Sequence, residues 1–170
     1  MRSAGAAVGV LLALGLLVTG CGKDGHASGH GDRAVTAPQG AECGHTACGS
    51  NFFVDGAQVG DCPAGANCTA KLTLVATGDF HINDQYPYKF KADDVAGVTF
   101  RGTDHGGPNV FSKDADDWHK TGAQSGVMTV TFQSTDKGSK SISGNFKLSV
   151  CSAQNCQLEQ QTVTVPVAVR

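Results

Sequence analysis

Apolar and polar side chains alternate with a period of two along much of the chain after residue 70. In residues 71–77, for example, Leu72, Leu74 and Ala76 share one face, and Thr73 and Thr77 lie on the other. Such alternation is typical of a strand with one face in a hydrophobic core and the other in water. The pattern predicts four half-buried strands, at residues 71–77, 126–133, 140–150 and 162–169.

The last of these predicted strands contains a proline. Val163 and the three valines that alternate after it lie on one face, and Pro166 falls on the other. Because proline has no backbone N–H, we expect this strand at a sheet edge. Clusters of Gly, Asp, Ser and Pro at residues 102–108 and 134–139 are suited to turns. Short strands, turns and no convincing helical period together predict an all-β fold, an antiparallel immunoglobulin-like β-sandwich with a disulfide-rich N-terminal segment.

The N-terminal residues follow a different pattern. Arg2 supplies a positive charge, and residues 4–18 are apolar or small without any charge. This is the pattern of the hydrophobic region of an export signal. A membrane-spanning helix needs roughly 20 apolar residues, and this run is shorter and is followed at once by polar sequence. We therefore expect the segment to be removed after export.

The tetrapeptide Val-Thr-Gly-Cys at residues 18–21 resembles the lipobox of bacterial lipoproteins. The resemblance implies that residues 1–20 are a lipoprotein signal peptide, cut off once Cys21 carries acyl chains, and that membrane lipid is a partner through those chains. Several acyl chains anchor a protein where one chain binds only marginally. The expected location is the cell envelope, on the periplasmic side or at the cell surface. An ordinary secretory signal with a chance cysteine is the alternative.

Residues 21–42 are dominated by Gly, Ala, His and Asp and have no periodicity, which predicts a flexible Gly/His-rich tether. His26, His30 and Asp32 in this segment offer ligands for a transition metal, but we prefer the interpretation of a solvated spacer that holds the domain off the lipid surface. Beyond it we expect a cysteine-rich segment at residues 43–69, poor in strands from Cys43 to Cys68, and the β-sandwich domain at residues 70–170.

The charge balance excludes some classes of partner. The chain has 13 Lys and Arg against 15 Asp and Glu, and its formal net charge is −2 at pH 7. Binding to nucleic acid needs clustered cations that displace counterions, so we expect no nucleic-acid partner. The sequence also lacks a phosphate-binding loop and a recognisable Ser-His-Asp order. No cofactor is therefore expected.

Seven cysteines are present, and six of them follow Cys21 in three closely spaced pairs. In an oxidising envelope an even number of this kind predicts disulfides, and the spacing favours local pairing. For the first four cysteines a zinc site is the alternative, although their spacings lie at or beyond the usual range for zinc ligands. The pairs are Cys43 with Cys48, Cys62 with Cys68, and Cys151 with Cys156.

The third pair brackets residues 152–155, which we expect to form a hairpin loop built on a type I turn. Residues that flank such a loop face each other at a separation that a disulfide can bridge. Two roles are open at this point. The bond is either a structural staple of the hairpin or an exchangeable, redox-active disulfide, because exposed disulfides exchange more readily than buried ones.

Residues 147–156, with the sequence Lys-Leu-Ser-Val-Cys-Ser-Ala-Gln-Asn-Cys, resemble the redox hairpin in the N-terminal periplasmic domain of DsbD-type thiol:disulfide interchange proteins. Residues 78–83 are similar to that family's early strand and loop. The resemblance implies an immunoglobulin-like sandwich in which Cys151 and Cys156 accept electrons from a membrane-embedded partner and pass them to periplasmic disulfides, as a protein-disulfide reductase or redox partner does. The loop here has four residues where the family usually has five. Phe80 and Phe111 are candidates for the family's aromatic cap.

Two weaker patterns point to metal ions. The acidic run at residues 114–119 suggests calcium, but it lacks the glycine and distal glutamate of an EF-hand, so we expect a solvated loop before a core tryptophan. His81, His105 and His119 are possible ligands for copper or zinc, although their spacing does not demand a site. Three functional classes follow: a thiol-disulfide exchange protein, a non-catalytic lipoprotein that binds an envelope protein or ligand, and a metal-binding lipoprotein.

Overall fold

The computed structural model describes residues 43–170. Within that range every regular element is a strand. No helix in residues 43–170 is long and apolar enough to span a membrane. The strands are β1 (Ala47–Gly49), β2 (Phe52–Val59), β3 (Asn67–Ala76), β4 (His81–Ile82), β5 (Lys89–Ala92), β6 (Val98–Phe100), β7 (Val110–Ser112), β8 (Trp118–Lys120), β9 (Ser125–Ser134), β10 (Gly138–Cys151) and β11 (Cys156–Val169).

These strands form two sheets in which every pairing is antiparallel. The first sheet has the order β1-β2-β3-β9-β6, and β8 also pairs with β9. The second has the order β11-β10-β5-β7, and β4 also pairs with β10. The fold is therefore an all-β, antiparallel, immunoglobulin-like sandwich, as the alternation predicted.

The core lies between the two sheets and contains the alternate residues of the long strands. Along β9, residues with even numbers from Gly126 to Ser134 are buried, and the residues between them are half-buried. Trp118 stacks on Tyr88 with ring centroids 4.1 Å apart, which confirms the expected core tryptophan. Burial of this apolar surface supplies the main favourable term for folding.

The four predicted strands are confirmed as β3, β9, β10 and β11. The last of them is longer than expected, because it begins at Cys156 rather than at residue 162. It forms one edge of its sheet, in agreement with the presence of Pro166. The cluster at residues 102–108 lies outside the strands, as turns do. Of the second predicted turn, residues 134–139, only residues 135–137 do so, because β9 ends at Ser134 and β10 begins at Gly138.

The expectation that the segment from Cys43 to Cys68 is poor in strands is wrong. β2 has eight residues, lies wholly within that segment and pairs with β3 along its whole length. Its sequence hides the alternation because Gly56 and Ala57 carry little hydrophobic signal and Asp55 stands mid-strand. The pairing with β3 therefore decides that β2 is a strand, where local hydrophobicity does not.

The end of the chain is fixed against the turn before β3. The backbone N–H of Arg170 donates to the carbonyl of Cys62 at 2.9 Å, and the N–H of Ala64 donates to the carbonyl of Arg170 at 2.8 Å. Nearby, the side chain of Gln58 bonds to both backbone groups of Ala168. These bonds join the edge of β11 to the opposite sheet at this end of the sandwich.

Candidate functional site

Cys151 and Cys156 close the β10–β11 hairpin with a disulfide. They are direct cross-strand partners, with Cα atoms 4.0 Å apart, and residues 152–155 connect them. The expected local pairing is therefore confirmed here, as it is for Cys43 with Cys48 and for Cys62 with Cys68.

The connecting loop is held by its own serine. The N–H of Ser152 donates to the carbonyl of Asn155 at 2.8 Å, and its hydroxyl oxygen accepts from the N–H groups of Gln154 and Asn155 at 3.2 and 3.3 Å. A serine side chain that satisfies nearby backbone N–H groups stabilises a turn. The loop therefore presents the disulfide in a defined geometry.

The two sulfur-bearing residues differ in exposure. Cys151 is 6% exposed, whereas Cys156 is exposed to solvent. Cys62 and Cys68 are both buried in the core. Since exchange requires an incoming thiolate to reach a sulfur, an attacking thiol has access to the hairpin disulfide through Cys156 and is kept from the Cys62–Cys68 bond.

β4 brings a histidine beside the disulfide. His81 is the direct partner of Cys151 on the side away from β11, so Cys156, Cys151 and His81 form a row across three strands on one face. Directly opposite residues have Cβ atoms roughly 4.5–5.5 Å apart. The short strand is held in place by bonds from Ile82 N to Ala123 O and from Gln124 Nε2 to Phe80 O. The sequence marked His81 only as a possible metal ligand.

Tyr88 fixes β10 two residues before the disulfide. Its hydroxyl donates to the carbonyl of Ser149 at 2.6 Å and accepts from the N–H of Asn83 at 3.0 Å. Burial raises the pKa of this hydroxyl above its ordinary value. The hydroxyl therefore remains a hydrogen-bond donor at neutral pH. Asn83 Nδ2 also donates to Ser149 Oγ at 3.2 Å, so the segment after β4 is tied to β10 twice.

The two candidates for an aromatic cap have different positions. Phe111 lies on β7 as a fully buried core residue, between Phe90 and Phe100, and it is separated from β10 by β5. It does not cover the cysteines, and that candidate was wrong, because its hydrophobicity serves the core. Phe80 is half-buried and precedes His81 directly.

The possible metal ligands among residues 43–170 do not converge. In the part of the chain that the structure describes, there is no group of three or more His, Cys, Asp or Glu side chains placed to hold a metal ion. The acidic run contains one carboxylate with a structural role, since Asp117 Oδ2 accepts from the N–H of Ser112 at 3.0 Å. Burial raises the pKa of Asp117. In contrast, Asp116 has an almost fully exposed side chain, as expected of a solvated loop.

A second feature, on the outer face of the β11-β10-β5-β7 sheet, was missed in the sequence. A cavity of about 340 Å³ is lined by Lys89, Lys91, Lys147, Asn145 and Gln160, with Val110 and Gly106 at its side. Lys89 and Lys147 are direct cross-strand partners. Lys89 forms an ion pair with Asp104 at 3.4 Å. The lysines come from two strands that are far apart in sequence, so no local motif marks the site.

Four predicted features lie outside the described residues: the signal peptide at residues 1–20, the lipidation site Cys21, the tether at residues 21–42 and its possible metal ligands. Those predictions stay predictions.

Comparisons with known proteins find solved structures of low similarity to this chain. No family model matches it, and no curated protein matches it. Among solved structures, the fimbrial major subunit AggA of Escherichia coli is 9% identical with a TM-score of 0.33, covering 72% of this chain and 98% of that one. A cohesin module from Clostridium perfringens is 11% identical with a TM-score of 0.35, covering 71% and 97%. A PapD-like domain of human CEP192 is 11% identical with a TM-score of 0.29, covering 86% and 99%.

Proposed function

We propose that this protein is a lipid-anchored thiol-disulfide exchange protein of the bacterial cell envelope, akin to the N-terminal domain of DsbD-type proteins, and that Cys151 and Cys156 are its working pair. The observation that carries the proposal is the placement of the disulfide: it closes a hairpin at a loop, with Cys156 exposed and Cys151 buried. This arrangement offers one sulfur to an incoming thiolate and shields the other.

The exchange transfers two electrons and two protons from a partner dithiol. One partner thiolate attacks Cys156 Sγ, the disulfide breaks, and the sulfur of Cys151 leaves as a thiolate that takes up a proton. The second partner thiol then loses its proton and attacks the partner's own sulfur in the mixed disulfide, and Cys156 is released and protonated. The partner ends as a disulfide and the hairpin as a dithiol, and the reverse sequence reduces a substrate disulfide.

His81 favours this chemistry by its position. A protonated imidazole beside a cysteine stabilises the thiolate, which lowers the pKa of the thiol and makes it a better leaving group. Cys151 is the sulfur that leaves when Cys156 is attacked, and His81 is its direct cross-strand partner. Replacing His81 by Ala should therefore slow reduction of the hairpin disulfide by a dithiol. His119→Ala, at an exposed position on the other sheet, is the control.

A redox titration followed by alkylation and mass spectrometry tests the pair. In the oxidised protein we expect Cys151 and Cys156 to be labelled first as the potential falls, while Cys62 and Cys68 stay protected to a more negative potential because both are buried. The Cys43–Cys48 disulfide also has one exposed and one buried cysteine, so its reduction potential is the internal comparison for the hairpin disulfide. Simultaneous reduction of all three bonds would leave the hairpin disulfide as a structural staple.

The lipid anchor needs its own experiment. Replacing Cys21 by Ser should leave an uncleaved precursor without acyl chains, because lipidation of that cysteine precedes cleavage in bacterial lipoproteins. Metabolic labelling with a palmitate analogue and the mass of the mature N-terminus report the result. Normal cleavage of the Ser variant would show an ordinary secretory signal in its place.

A binding function is the second candidate, and the lysine-lined cavity favours it. Three ammonium groups with Asn145 and Gln160 supply hydrogen-bond donors for a small anion with several carboxylates. Titration calorimetry with citrate should detect binding that Lys147→Glu abolishes and that Lys71→Glu, on the opposite sheet, leaves unchanged. Equal binding by both variants would contradict a specific site.

A further inference from the structure

β11 is a long, exposed sheet edge. It has 14 residues, whereas β1, β6 and β7 at the other sheet ends have three each. Short edge strands are one way in which proteins avoid pairing with other chains. β11 therefore needs some other protection along its free side.

The C-terminal half of β11 has that protection. A backbone hydrogen bond joins Ser152 to Asn155 across the hairpin. Bonded and non-bonded pairs alternate along an antiparallel ladder, so the next pair, Cys151 and Cys156, is a non-hydrogen-bonded pair. Residues of β11 with even numbers consequently point their backbone N–H and C=O away from β10. At Ala168 these groups bond to the side chain of Gln58, and Pro166 has no N–H to offer.

The N-terminal half of the same edge lacks protection. Its outward-facing backbone groups have no hydrogen-bond partner among residues 43–170. The residues that carry these outward-facing groups have exposed, uncharged side chains, and Leu158 is 66% exposed. The stretch contains no lysine or proline that would discourage pairing. Its outward-facing residues are Cys156, Leu158, Gln160, Thr162 and Thr164.

We propose that a second copy of this chain pairs antiparallel with this edge across a twofold axis at Gln160, which makes one continuous sheet from the two β11-containing sheets. This inference is independent of the proposed function. The open stretch, residues 156–164, is centred on Gln160. Twofold pairing about that residue sets Gln160 opposite its own copy and Leu158 opposite Thr162 of the second copy, so that each open N–H and C=O meets a partner.

This register also supplies a hydrogen-bond partner for the one buried side-chain polar atom that has none among the described residues. Gln161 is 6% exposed, and its Nε2 has no hydrogen-bond acceptor. Pairing about Gln160 places Glu159 of the second copy directly opposite Gln161, where its carboxylate can accept that bond. Glu159 is the only charged residue in the stretch, and its backbone faces β10, so the two glutamates do not stand opposite each other.

Cysteine cross-linking in intact cells that express the full chain tests the register. In the proposed dimer the two Cα atoms at position 160 are about 5.5 Å apart, within reach of a disulfide. At position 162 each residue faces residue 158 of the second copy, so the two Cα atoms of Thr162 are offset by four residues, about 13 Å along the strand. Gln160→Cys should therefore give a covalent dimer on a non-reducing gel, and Thr162→Cys, on the same face of the strand, should not.

Thr162→Pro tests the contribution of the edge hydrogen bonds. It removes an outward-facing N–H and leaves the bonds to β10 intact, as Pro166 does. Analytical ultracentrifugation of the detergent-extracted full chain should show a monomer–dimer equilibrium whose dissociation constant rises about tenfold or more in this variant. Glu159→Ala, which does not touch the backbone, should also weaken the dimer. A wild-type monomer at all concentrations, equal cross-linking at positions 160 and 162, or cross-linking of Gln160→Cys only to another protein would overturn the proposal.

Discussion

Asp104 shows how one carboxylate organises the loop beside the lysine-lined cavity. Its oxygens accept from Ser112 Oγ at 2.6 Å and from the N–H of Gly106 at 2.7 Å, and it pairs with Lys89. The hydrogen bond from Ser112 is the largest cause that lowers the pKa of Asp104. The charged form of the carboxylate is thus the form that the fold stabilises.

The pH dependence of stability follows from that direction. A carboxyl whose pKa is lower in the folded state contributes stability above its unfolded pKa of about 4, and the contribution is lost as pH falls through the folded pKa. Asp104→Asn should reduce the free energy of unfolding by about 1 kcal/mol or more at pH 7 and by much less at pH 2, measured by urea denaturation. Asp116→Asn, at an exposed side chain, should change little at either pH.

At the residue scale the sequence predicted the cysteines well and the histidine poorly. The disulfide pairings follow from spacings of five and six residues, which are visible in the chain itself. The position of His81 opposite Cys151 depends on β4, a strand of two residues that pairs across a separation of 70 residues in sequence. A strand so short leaves no periodic signal, because one alternation is indistinguishable from chance.

At the element scale β10 is the strand on which the second sheet is built, and Gly144 marks its closest approach to β5. A Cβ at this position would overlap the carbonyl oxygen of Lys91 and approach the ring of Phe90. Gly144 is paired with Ala92 in register, so small residues face each other where the two strands meet. The backbone contact, rather than any special φ value, requires glycine there.

Replacing Gly144 by Ala should therefore destabilise the protein, although alanine has no intrinsic disadvantage in a strand relative to glycine. We expect a loss of about 1–3 kcal/mol in the free energy of unfolding, because β5 has to move to admit the methyl group. Ser141→Ala, at an exposed position on the same strand, is the matched control. A Gly144→Ala variant as stable as the control would show that β5 can move to accommodate the methyl group without loss of stability.

Long strands were predictable from the sequence and short ones were not. β3, β9, β10 and β11 have 10 to 14 residues, enough for several alternations to show. β2 has eight residues, but its polar and glycine positions dilute the pattern. The strands of two to four residues owe their conformation to the neighbour that they pair with, which is tertiary information.

At the scale of the whole molecule, the Cys62–Cys68 turn joins the end of the chain to the sandwich. Both cysteines are buried, and the carbonyl of Cys62 accepts a hydrogen bond from the backbone N–H of Arg170. Loss of this disulfide should thus weaken the association of both sheets and not merely a local loop.

Replacing Cys62 and Cys68 together by Ala should lower the free energy of unfolding by about 2 kcal/mol from the loop-closure term, with a further loss from the buried sulfur volume. The Cys43→Ala and Cys48→Ala pair closes a loop of similar length but has one exposed member, so we expect a smaller loss. Thermal unfolding followed by near-ultraviolet circular dichroism gives both values. A larger loss of stability in the Cys43 and Cys48 variant would show that the Cys43–Cys48 disulfide contributes more to stability than the Cys62–Cys68 disulfide.

The strictly local pairing of the cysteines has a consequence for how the native bonds form. Six cysteines allow 15 pairings, yet in this chain each partner follows within five or six residues. In a chain that enters an oxidising compartment N-terminus first, each thiol meets its native partner before the next pair has emerged. Short loops close within microseconds, far faster than oxidation. Each thiol therefore meets its native partner more often than any other cysteine, and short-range loop closure favours the native connectivity.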